Sequence, residues 1–125
     1  MSTTIPNPRV YSPGADVTAE ATAAVTARRF LAISGNRASG GNLSVAHATA
    51  AGRIFGVAAT DAAQGDLVTV VRDGVVKVTA GGNIAAFAEV EVGTSGQVVT
   101  IASGVAVGYA LTAATSGNVA EIHLY

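Results

Sequence analysis

Gly65-Asp66-Leu67-Val68-Thr69-Val70-Val71-Arg72-Asp73-Gly74-Val75-Val76-Lys77-Val78-Thr79-Ala80 is the most regular stretch of the chain. Two β-branched runs flank Arg-Asp-Gly. Asp-Gly suits a type I′ turn, whose two central residues both take positive φ. The stretch therefore reads as a hairpin in which Arg72 faces Val75, Val71 faces Val76, Val70 faces Lys77 and Thr69 faces Val78. With side chains alternating along each strand, Leu67, Thr69, Val71, Val76, Val78 and Ala80 would form the core face. Val68, Val70, Arg72, Val75, Lys77 and Thr79 would form a mixed outer face.

Short strand signals continue in both directions. Upstream lie Phe30 to Ile33, Leu43 and Val45 alternating with Ser44 and Ala46, and Ile54 to Ala58. Downstream, Val90 and Val92 alternate with Glu89 and Glu91, and the chain ends on the alternating segment Asn118 to Tyr125. Gly96 to Ala110 echoes the hairpin, with a second turn at Ser103-Gly104. Roughly eight or nine short strands with closely spaced turn signals, and no helical pattern between them, predict an all-β fold, a small antiparallel barrel or sandwich. Residues 1–27 read as an extended N-terminal arm, which carries Pro6, Pro8 and Pro13, and residues 28–125 as the β-barrel domain. Val17 to Ala27 is ambiguous between helix and extended chain, and its Val and Thr residues favour extended.

Composition narrows the function classes. The 125 residues are 50% hydrophobic and 12% charged, against about 25% charged in a typical soluble domain. A lone monomer would expose much weakly polar surface, so an oligomer or a larger scaffold is expected to cover part of it. A net charge of −1 without a basic stripe argues against direct nucleic-acid binding. Absent cysteine excludes disulfides and thiolate metal sites. The N-terminus lacks the charged and apolar regions of a signal peptide. The uncharged span Val92 to Ala120 is too punctuated by glycine to cross a membrane.

No catalytic, cofactor-binding or metal residue is expected. His47 and His123 are distant in sequence and lack metal spacing; His47 is expected at a strand end and His123 on a polar strand face. Glu89 and Glu91 should share one face of a strand ~6.6 Å apart. Paired carboxylates can serve acid–base chemistry, but their alternation with valine fits a solvated face better. Lys77 lies beyond the turn, unlike the tip lysine of biotinyl and lipoyl domains, and the glycine-rich loops match no phosphate-binding pattern. The chain is not expected to be an enzyme.

Gly56-Val57, Gly65-Asp66 with Val68 and Val70, Gly74-Val75-Val76, Val107-Gly108 with Ala110-Leu111, and the final strand Val119 to Leu124 form a scheme that resembles the small capsid decoration (cement) proteins of tailed bacteriophages. The resemblance covers about residues 28 to 125. It implies a β-barrel, usually trimeric, made in the bacterial cytoplasm. It would sit on the outer capsid surface of the virion at threefold or quasi-threefold positions. There it would bind the major capsid protein and stabilise the shell, with no cofactor and no reaction. Two other readings fit the composition: a tail or fibre component, and a small-ligand-binding barrel.

Overall fold

The computed structural model describes residues 6–125. Ten short strands follow one another: β1 (Val17–Ala21), β2 (Phe30–Ile33), β3 (Leu43–His47), β4 (Gly56–Ala58), β5 (Leu67–Val71), β6 (Val75–Thr79), β7 (Glu89–Val92), β8 (Val98–Thr100), β9 (Gly108–Ala110) and β10 (Val119–Leu124). Strands β1 to β5 close into a barrel in the order β1-β3-β2-β4-β5, with β1 and β3 parallel. Strands β6 to β10 form a second sheet in the order β6-β10-β9-β7-β8. Its outer strands meet only at the parallel bridge Ala80↔Val98.

The two halves share one wiring, position for position. Val17↔Val70 and Ala19↔Val68 in the first unit correspond to Val76↔Ile122 and Val78↔Ala120 in the second. Leu31↔His47 and Ile33↔Val45 correspond to Val90↔Thr100 and Val92↔Val98. The bridge Val25↔Ala62 returns as Ile84↔Ala114. Each bridge joins two corners, and each corner turns on a left-handed residue: Arg28 and Gly65 in the first unit, Phe87 and Gly117 in the second, with φ of 61°, 88°, 66° and 84°. Gly56 and Gly108 are also equivalent. A Cβ on Gly56 would meet the Val71 carbonyl at 2.5 Å, and one on Gly108 would strike the equivalent His123 carbonyl. The chain is thus a tandem duplication of one five-strand unit.

This wiring overturns the hairpin. β5 is flanked by β1 and β4, and β6 pairs with β10, so the two strands are not neighbours. Asp73-Gly74 instead carries the chain from one unit to the next. Only Gly74 takes positive φ (85°), and its N–H donates to Asp73 Oδ1 at 2.8 Å. The inward face of β5 is correspondingly reversed. Val68 and Val70 are buried and Leu67 and Thr69 exposed, because pairing with β1 sets the register. On β6, Val76, Val78 and Ala80 face the core as expected. The echo at residues 96–110 was also out of phase: β8 and β9 flank β7 without pairing with each other, and they repeat β3 and β4.

The arm is shorter than its sequence suggested. Val17–Ala21 is a barrel strand and Val25 a core residue, so the boundary at residue 27 falls inside the first unit. Residues 6–16 run along the surface without a strand; residues 1–5 lie outside the described residues.

Two cores hold the molecule. Ala19, Ala21, Leu31, Val45, Val68 and Val70 fill the first barrel, each at most 1% exposed. The second core contains the inner face of β6 to β10 and, in addition, Phe30 and Val57 from the outer face of the first unit, with Val71 packed against it. Phe30 is fully buried there. Beside it the seam of the second unit splays: Thr79 N–H donates to Arg28 O (2.9 Å), and Arg29 Nη1 to Ser95 O (3.1 Å). In the first unit the matching seam is zipped by the parallel pairs Ala19↔Leu43 through Ala21↔Val45.

Candidate assembly surface

The residues with chemical potential are dispersed by the duplication. His47 ends β3, as expected, and its Nε2 accepts the Thr26 N–H at 3.0 Å. Partial burial, followed by the nearby Arg29 charge, lowers its pKa below the usual 6.5. His123 lies on the outer face of β10 in the other unit. Among the described residues no group of three or more His, Asp or Glu side chains is placed to hold a metal ion, and no helix is long and apolar enough to cross a membrane.

Glu89 and Glu91 share a face but not an environment. Glu89 is exposed; Glu91, at 7% exposure, is buried, contrary to the solvated face its alternation suggested. The loop after β8 folds over it. Glu91 Oε1 accepts Ala102 N–H at 3.0 Å, while Oε2 is buried under Gly104 without a partner. A carboxylate held in this way ties a loop to a strand. Lys77 stays exposed on β6, opposite Glu121.

What the structure does bring together is a row across the outer face of the second unit. Glu89, Tyr109, His123 and Val75 stand opposite one another on β7, β9, β10 and β6. Tyr109 and His123 stack, with centroids 4.9 Å apart and planes 15° apart. Phe87 meets the edge of Tyr109 at 5.2 Å and is 79% exposed. Tyr125 tilts against Tyr109 at 6.1 Å, and its hydroxyl donates to Glu89 Oε2 at 2.7 Å. That hydrogen bond raises the Tyr125 pKa above its usual value. Aromatic rings are enriched at protein–protein contacts relative to the rest of a protein surface.

The sequence reading missed this row. Part of the signal was visible, since His123 and Tyr125 alternate with Ile122 and Leu124 and so share a face. The partners Phe87, Glu89 and Tyr109 are joined to them only by the strand order. A second exposed feature is the arm, where Tyr11 lies under the Arg37 guanidinium (5.9 Å to the ring centroid) and Arg72 donates to Ser12 O at 3.3 Å.

Two tandem all-β units, each with a buried core and the second with an exposed aromatic face, define a duplicated all-β module. The family model for phage cement protein matches residues 11–124, both units included, and the chain belongs to that family. Among solved structures it is similar to the head fiber gp8.5 N base of bacteriophage phi29, at 27% identity and a TM-score of 0.76, with 89% of this chain and 93% of that chain covered. No curated protein matches it. The chain is a structural protein of the virion.

Proposed function

We propose that the protein binds the outside of the phage head as a trimer, at threefold or quasi-threefold positions, and holds neighbouring major capsid subunits together. The observation that carries this reading is the family match across both units. The physics is linkage. A module that binds the assembled shell, and not its separated subunits, stabilises the shell by its binding free energy. A trimer touching several subunits at once gains roughly 10² to 10⁴ in avidity without any single strong site. The packed first barrel favours this role over a ligand-binding one, because its side chains fill the space a ligand would need.

The test is to strip the protein from particles, challenge them with heat or osmotic shock, and add the purified chain back. Resistance should fall on stripping and return in proportion to occupancy. Equal survival of stripped and decorated particles would remove the cement role. The likeness to a head fiber base supports a second reading, in which the chain is the base of a surface projection. Electron microscopy separates the two, since a projection base carries further density above it.

A further inference from the structure

The duplication shows how one unit receives another, and it leaves that receiving face open in the second unit. In the first unit the row Phe30, Val57, Val71 is covered by β6 and the loop between β7 and β8, where Ser95 and Gly96 lie. Its equivalent in the second unit is Glu89, Tyr109, His123, and this row faces outward. The element equivalent to the covering loop is the segment between β2 and β3, residues 34–42, which carries exposed Arg37.

From this equivalence we infer that the Glu89–Tyr109–Phe87 face receives a second copy of this chain, with Arg37 of the incoming copy seated on the aromatic rings and paired with Glu89. The inference rests on the trimeric reading above and specifies the surface by which copies meet.

Charge complementarity selects a second copy. Every arginine (Arg9, Arg28, Arg29, Arg37, Arg53, Arg72) precedes β6, where five carboxylates also lie; from β6 onward Lys77, on β6 itself, is the one Lys or Arg, against Glu89, Glu91 and Glu121. Within the chain, Arg37 donates to Gly41 O at 2.7 Å and Tyr11 OH at 3.3 Å, neither of them a carboxylate. Glu89 accepts only from the neutral Tyr125 phenol among the described side-chain hydrogen bonds. A guanidinium fits this site because it stacks on ring faces and pairs with a carboxylate at once. The differences between the two rows agree with the inference. Phe30 enters a splayed seam, but the seam of an incoming first unit is zipped by β1 and β3, so nothing could insert there. Glu89 and flat rings accordingly stand where the inner junction has a plug. The contact is head-to-tail, and such contacts close into rings when the rotation allows.

Sedimentation of the full chain tests this by charge exchange. Glu89→Arg and Arg37→Glu should each weaken self-association about tenfold or more, and the double variant should recover most of it. Phe87→Gly removes the ring at a left-handed position that glycine suits; it should weaken association while the unfolding of the dissociated chain stays unchanged. Unaltered association of Glu89→Arg, or a double variant as weak as either single, overturns the inference. So does a Glu89→Arg protein that still oligomerises but no longer attaches to shells, which would give this face to the capsid subunit. A wild-type chain that decorates shells while remaining monomeric also overturns it, together with the trimer, and leaves shell binding standing.

Discussion

At the scale of single residues, the corners carry the sharpest consequences. Gly65 and Gly117 sit in the left-handed region, and a Cβ built on either meets nothing within 4 Å. The cost of a side chain there is purely conformational. Gly117→Val should therefore lose about 1–2 kcal/mol, read as a lowered Tm. His47 makes a different prediction. Its pKa is lowered in the folded state, so the unfolded chain binds the proton more readily. The stability it contributes is fully present above pH 6.5. It is lost as pH falls from there through the folded pKa, where the protonated ring can no longer accept the Thr26 N–H. Titration of the His47 ring by NMR should give a midpoint below 6.5, and His47→Gln should flatten the fall in stability on that side of the curve.

At the scale of elements, the junction between units depends on the splayed seam of the second sheet. Phe30 closes it, and among the described residues it is the one aromatic fully buried in a core, Phe55 packing against the first core from a half-buried position. Phe30→Ala should cost about 3–5 kcal/mol, the usual range for a fully buried phenylalanine. Its effect should spread to β6 and β8, which are joined by the single bridge Ala80↔Val98. Hydrogen exchange at Thr79 and Ala80 should rise more than at Glu20 and Ala21, their counterparts in the zipped barrel. Equal protection in both units would show that the seam stands without its plug.

At the scale of the whole molecule, the arm and the body separate. Residues 6–16 make few contacts with the barrel, chiefly through Tyr11 and Ser12 to exposed or half-buried arginines. Deleting residues 1–16 should leave the Tm of the free protein nearly unchanged, while attachment to particles weakens. A large loss of stability would make the arm part of the fold. Deleting through residue 27 should instead unfold the first unit, because it removes β1 and the core residue Val25.

Strand identity was legible because alternation is local. Val90 and Val92 against Glu89 and Glu91, or Ile122 and Leu124 against His123 and Tyr125, announce a strand wherever it ends up. The all-β class, the strand-end position of His47 and the resemblance to cement proteins followed from such local patterns. Partners did not. Asp73-Gly74 has hairpin chemistry, yet β5 and β6 belong to different units, because β1 and β4 occupy both edges of β5. A change of partner shifts register, and a shift of one residue moves every side chain to the opposite face; hence Val68 and Val70 point inward. The duplication stayed hidden for the same reason, since it is conserved in pairing and corner geometry and scarcely in side chains. Sequence alone determined most of the strands, β1 excepted, because alternation is local. Which strands pair, and therefore which rings gather around Glu89, was decided by contacts between residues far apart in the chain.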